Sequence, residues 1–251
     1  IQIESVNGTM SLNSAITLTD SATRALLMSD SSGQVTLDSL SINNPLAAVN
    51  AGVEVSNSAA ATLTVNDLQL DSNNGVTGIQ ADAVTLNIGS GSSITVDGGR
   101  GLFLSNATVD MDLQSLSVDN SSDPAVSLDN VGGTLAVTST TINGPVAGSS
   151  SGVNVNNSSL AADFGNTTVS GIDGSGITLD NNAAASFTFE TLQVGTSNGI
   201  GLFARDTGTV TINSAGSNSI ATTGESALIV ENSFISGQID SVSSSNSPAS
   251  A

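Results

Sequence analysis

The chain has 251 residues, with no Cys, Lys or His, and three arginines (Arg24, Arg100 and Arg205) against 22 acidic residues, for a formal net charge of −19. This composition excludes a disulfide framework and thiolate metal centres. The charge excludes nucleic acid and anionic membrane surfaces as partners, since both need basic patches to displace counterions. Disorder is excluded as well, because apolar residues make up 38% of the chain and recur in alternation.

Ile1 opens a five-residue pattern of apolar, any, apolar, any and then a corner residue. The pattern restarts at Leu26, Val53, Ile79, Leu102, Val126, Val153, Ile177, Leu202 and Leu228, in steps of 23 to 27 residues. These starts define coils 1 to 10. The residue before each of the nine restarts is Gly or Ala, from Ala25 and Gly52 to Gly201 and Ala227. The corner position holds Ser5, Asp30, Asn57, Ala83, Asn106, Asn130, Asn157, Asn181, Asp206 and Asn232, so eight of ten are Asn or Asp. A second strand pair follows in each coil. Val35, Leu37, Leu40 and Ile42 have the same spacing as Leu63, Val65, Leu68 and Leu70, as Met111, Leu113, Leu116 and Val118, and as Phe187, Phe189, Leu192 and Val194. Each set reads as two short strands with a two-residue bend between them. Residues 1–242 therefore form one segment, and the Ser-rich stretch 243–251 with Pro248 reads as a tail or linker.

A period near 25 residues with three short strands and three corners predicts an all-β fold, a right-handed parallel β-helix of about ten coils. Stacked coils put Ile1, Leu26, Val53, Ile79 and Leu102 in one inward aliphatic column. The Asp30, Asn57, Asn106, Asn130, Asn157, Asn181, Asp206 and Asn232 column becomes a structural ladder. Asn and Asp tolerate a left-handed backbone there, and an amide can bond to its neighbours along the stack. At about 4.8 Å per coil the rod is roughly 45 Å long. Ile1 already sits in a strand with no polar cap before it, and no signal-peptide pattern opens the chain. The expectation is a segment of a longer solenoid.

The alternation of Val, Leu, Thr and Asn in "ATLTVNDLQLDS" and "GTVTINSAGSNSI" resembles the passenger domains of bacterial autotransporter adhesins and related β-strand repeat surface proteins. The resemblance covers nearly the whole chain and implies a secreted or surface-tethered rod acting in adhesion, self-aggregation or biofilm formation. Its partners would be a host or cell-surface protein, a glycan, or another copy of the rod, with no membrane insertion by this segment.

The alternative is a carbohydrate-active enzyme, a polysaccharide lyase or glycosidase, because pectinases and phage tailspikes share the fold. Fold does not decide function, and the residues speak against catalysis. Lyases of this kind depend on Arg or Lys as base, yet this chain has no Lys and its arginines fall in different coils. A glycosidase needs two carboxylates at a set separation, for which Asp110 with Asp112 and Asp163 with Asp173 are the candidates. Sugar platforms of Trp or Tyr are absent. No cofactor is implied. Calcium is the one metal the pattern allows, at Asp71 and Asn73 or at Asp180, but neither corner has a downstream bidentate Glu at EF-hand spacing and turn chemistry is the better account of both.

The outward position of the first strand holds Leu27, Phe103, Phe203 and Ile229 among polar residues, with Arg100 and Arg205 close to the two Phe. These six are the candidate contact surface. Ice binding would require outward Thr-x-Thr rows, and pairs such as Thr17/Thr19 and Thr62/Thr64 do not persist between coils. The glycosylation sequons at Asn7, Asn106, Asn120, Asn156, Asn157 and Asn166 follow from an Asn- and Ser-rich composition.

Overall fold

The structure, a computed structural model, describes residues 1–21, 25–46, 50–144, 151–214 and 216–246. Arg24 and residues 247–251 lie outside these. Among the described residues there is no helix, and all 25 strands belong to two parallel sheets wound as a β-solenoid of about nine turns.

The narrow sheet contains ten strands in chain order, one per coil, from Gln2–Glu4 to Leu228–Glu231. Its register ties each coil start to the next: Leu26 pairs with Val53, Val53 with Ile79, Ile79 with Leu102, and so on to Leu202 with Leu228. The wide sheet carries the other two strands of each coil. In coils 1, 2, 4, 5 and 6 these merge into one strand that runs through the bend, as in Thr108–Asp119. In the remaining coils they stay separate, as in Ser186–Phe189 and Thr191–Thr196. The three-strand coil read from sequence is thus a two-strand coil wherever the backbone ladder survives the bend. The last strand, Ser241–Ser245, extends into the segment that reads as tail.

The inward columns fill the interior, with Leu26, Val53, Ile79, Leu102, Val126, Val153, Ile177 and Leu202 all buried. Phe164, Phe187 and Phe189 are the largest fully buried side chains. Phe164 stacks on Phe189 with ring centres 5.7 Å apart and planes 13° from parallel.

Each coil turns its first corner on a single residue. All ten corner residues, Ser5 and Ala83 included, have φ between 46° and 57°. The side chains that can do so bond up the stack. Asn130 Nδ2 donates to Asn106 Oδ1 and Asn157 Nδ2 to Asp129 Oδ1, both at 2.9 Å, while Asn232 Nδ2 donates to Asp206 Oδ1 at 3.1 Å. The left-handed residue turns the following N–H toward the interior, where an unmet donor is costly. Side chains of the next coil accept it, Ser31, Ser158 and Asn182 buried and Ser233 half-buried. Val6 N–H donates to Ser31 Oγ, Val131 N–H to Ser158 Oγ, Ser158 N–H to Asn182 Oδ1 and Thr207 N–H to Ser233 Oγ, at 2.8 to 3.1 Å. No buried side-chain polar atom among the described residues lacks a partner.

Candidate functional surfaces

On the narrow sheet's outer side, the six candidate contact residues do not form one patch. Leu27 is 4% exposed, and its whole strand Leu26–Ser29 is buried on both sides. It is a covered residue and not an open contact, which corrects the expectation for it. Phe103 and Phe203 share an outward column but are separated by Ser127, Asn154 and Thr178 on the strands between them. Four strand steps correspond to about 19 Å. Phe203 has Ile229 beside it on the next strand.

Each Phe is capped by an arginine. The Arg100 guanidinium carbon lies 4.3 Å from the centre of the Phe103 ring, and Arg205 lies 5.3 Å from that of Phe203, in the geometry of a cation–π contact. Each arginine is held in turn by an aspartate. Arg100 Nη2 is 3.1 Å from Asp123 Oδ1. Arg205 donates from Nε and Nη2 to the two oxygens of Asp180, at 2.9 and 2.7 Å. The hydrogen bond to Asp180, and next its charge, push the Arg205 pKa further up.

The second of these pairs follows from the stacking itself. Running up the column that ends each narrow strand are Asp82, Ser105, Asp129, Asn156, Asp180, Arg205 and Glu231. Like charges directly opposite on neighbouring strands are destabilising. Acids therefore alternate with neutral residues, and where three charged residues follow one another the middle one is Arg205.

Asp180, one of the calcium candidates, is thus committed to Arg205. Asp71 is exposed and sits between Asn43 and Thr95 on the adjoining strands, with Asn73 exposed beyond it. Among the described residues no three His, Cys, Asp or Glu side chains are placed to hold one metal ion. Of the carboxylate pairs, Asp110 and Asp112 do share an outer face. They line a shallow concavity of about 360 Å³ with Thr64, Asn66 and Asn87, beside the bulge at 89–91. Asp110 Oδ1 accepts a hydrogen bond from Thr134 Oγ1 at 2.8 Å. Asp163 and Asp173 do not come together as a pair. Asp163 ends a wide-sheet strand and accepts the Gly165 N–H, whereas Asp173 lies at the third corner and accepts from Asn198.

Three surface features had escaped sequence reasoning. A second left-handed column stands at the third corner, with Asp20, Asn44, Asn120 and Asn246 at φ of 48° to 56° and Gly98, Gly171 and Gly224 between them. Its signal was present in the Asn, Asp or Gly that follows most third strands. The second feature is a face of small hydroxyls on the last part of the wide sheet. Ser93, Ser115 and Ser139 stack in one column, with Thr95, Ser117, Thr141 and Thr168 in the next. Within this face the hydroxyls of Ser115, Ser117, Ser139, Thr141 and Thr168 have no hydrogen-bond partner among the described residues. The third is a groove of about 510 Å³ at the third corner of coils 7 to 9, lined by Asp173, Ser175, Asn198, Ile200 and Glu225 over a floor of Gly174 and Gly199. The chain matches no protein-family model, no curated protein and no solved structure.

Proposed function

We propose that the chain is an extracellular rod of a bacterial surface protein, and that it acts in adhesion, self-aggregation or biofilm formation. The hydroxyl face supports this reading most directly. Its free donors and acceptors repeat at the strand spacing of about 4.8 Å. Such a surface suits a partner that also repeats, either a glycan or the same face of another copy. The arginine caps favour this face over the narrow sheet, because Phe103 and Phe203 already have intramolecular partners.

The test is settling of bacteria that display the chain. Ser117→Asp and Thr168→Asp together place two charges in one column with neutral Thr141 between them, and should abolish settling, with the β circular dichroism of the rod unchanged. Settling equal to that of the unmodified chain would sink the reading, as would failure of the unmodified chain to promote it. A carbohydrate-active enzyme is the second reading, on the one observation that Asp110 and Asp112 share a concavity. Release of reducing ends from a polysaccharide, lost in Asp112→Asn, would favour it.

A further inference from the structure

The repeat places the third-corner groove in register with a second site whose occupant belongs to the chain. Counted back from the coil starts Leu102 and Leu202, Arg100 and Ile200 hold the same position, and Gly99 and Gly199 precede them. Counted forward, Phe103 and Phe203 are equivalent. In the following coils, Asp123 and Glu225 are equivalent, each three residues before the start at Val126 or Leu228. The two sites lie four coils apart on the same edge of the rod.

Both floors are backbone against backbone. A Cβ on Gly99 would fall 2.4 Å from the Val76 carbonyl oxygen, and one on Gly199 would fall 2.2 Å from the Gly174 carbonyl carbon. No side chain of the floor can fill either site, so whatever occupies it comes from the residue that follows. At the first site this is Arg100, whose guanidinium reaches over Phe103 to Asp123. At the second site Ile200 replaces the arginine and leaves the groove open. The Glu225 carboxylate, equivalent to Asp123, has no hydrogen-bond or ion-pair partner among the described residues. Asp173 supplies a second carboxylate on the opposite wall, where Asn198 orients it. Arg205 does not serve this groove, since it is engaged by Asp180 on the other side of Phe203.

We propose that this groove takes an arginine side chain of a partner protein, with its guanidinium on Glu225 and Asp173 and its aliphatic stem along Ile200. The chain's own Arg100 site shows one half of this arrangement, a guanidinium held by the carboxylate of the next coil, and the position equivalent to Asp173 there is Gly75, so the second carboxylate belongs to this groove alone. A planar guanidinium suits it better than an ammonium, because two carboxylates on opposite walls need donors in a fork. The inference concerns one corner of the rod and holds whether or not the rod works in adhesion.

The test is a titration of the isotope-labelled chain, followed by amide chemical shifts, with N-acetyl-arginine amide, N-acetyl-lysine amide and the uncharged N-acetyl-citrulline amide. Shifts should concentrate at Gly199, Ile200 and Glu225, with arginine strongest and citrulline inert. Glu225→Gln should weaken arginine binding about tenfold, as loss of one charge-assisted hydrogen bond does. Ile200→Arg should abolish binding by supplying an internal guanidinium, while the rest of the spectrum stays that of the folded rod. Equal shifts with citrulline, shifts spread over the acidic surface at large, or unchanged binding in both variants would overturn the proposal.

Discussion

The first corner and the bend of the wide sheet solve the same problem, turning a stacked coil without leaving buried polar groups unmet, in opposite ways. At the first corner the backbone sets the turn identically in every coil, and a side chain of the next coil only meets the N–H that follows. One residue goes left-handed in every coil, at φ within 11° across all ten. At the bend, side chains do the work, and each coil differs. Coil 4 bulges at 89–91 and buries Ser92, whose Oγ accepts the Leu68 N–H at 2.9 Å and donates to the Gly89 carbonyl. Coil 7 turns on left-handed Gly165, and Thr140 and Thr167 both donate to the Phe164 carbonyl, at 3.1 and 2.9 Å. Coil 9 relies on Asn218. Its Oδ1 accepts the Leu192 N–H at 2.7 Å, and its Nδ2 donates to the carbonyls of Asn213 and Gln238. The difference teaches where a solenoid tolerates variation: a backbone-determined corner repeats, while a side-chain-determined bend admits insertions.

Damage should follow the same division. The largest effect is expected at the bend from Phe164→Ala, which removes a fully buried ring and its stack on Phe189. About 3–5 kcal/mol of stability should be lost, read from the urea midpoint. Next comes Asn218→Ala, which strands the buried Leu192 N–H and two partly buried carbonyls. About 3 kcal/mol is the expected loss, with amide exchange accelerated first at Leu192; protection equal to that of the parent chain would deny Asn218 this role.

The first corner should yield less. Asn130→Ala keeps φ at 53° without a side chain suited to it and breaks the bond to Asn106. A cost of about 1–2 kcal/mol is expected, with Asn130→Gly less harmful because glycine accepts that φ freely. Ala83 already carries this strain at the same φ. Ala83→Asn should therefore stabilise the rod by about 1 kcal/mol, and a lower melting temperature in that variant would show that the corner is not governed by backbone conformation.

These two regions also explain what was legible in the sequence. The coil starts, the small residue before each one and the corner column could all be read, because a positive φ filters residue types and the filter recurs every 23 to 27 positions. Even Ser5 and Ala83, which break the Asn and Asp pattern, occupy the left-handed corner that the spacing assigns them. The position of the bend was legible from the shared spacing of four coils, but the side chains that satisfy it were not. Ser92, Thr140 and Thr167 are buried plugs, yet in a chain this rich in Ser and Thr they look like solvent-facing residues. The outer surface was partly legible. Phe103, Phe203 and Ile229 do lie on the outward column, and the arginines do lie beside the rings. What a linear reading could not supply was the partner of each arginine, Asp123 or Asp180, more than twenty residues away and adjacent only through the stack. Leu27 departs for a similar reason, since its position in the column fixes its direction and not what covers it.

The smallest effect separates the two regions by pH. Asp82, at the first corner, accepts hydrogen bonds from Ser105 Oγ and from Asn106 Nδ2, and these hold its pKa below the ordinary 3.8. Asp240, beneath the bend, is held below its ordinary value first by the backbone N–H of Asn218 and then by the Gln238 side chain. A carboxylate whose folded pKa is depressed stabilises the fold above its unfolded pKa and loses that contribution as pH falls through the folded one. The advantage of the parent chain over Asp82→Asn should therefore be constant at neutral pH and vanish on acidification below about pH 4. Asp82 is exposed, so screening limits this difference to a few tenths of a kcal/mol. Acidification also relieves the repulsion of a −19 chain, which raises stability in parent and variant alike. Only the difference between them reports the corner. A gap that persists at pH 2 would assign Asp82 a role in packing, in place of one in charge. The same comparison for Asp240→Asn in an Asn218→Ala background should show a smaller pH dependence, because the loop that positions the Asn218 N–H is loosened while Gln238 Nε2 still donates to Asp240.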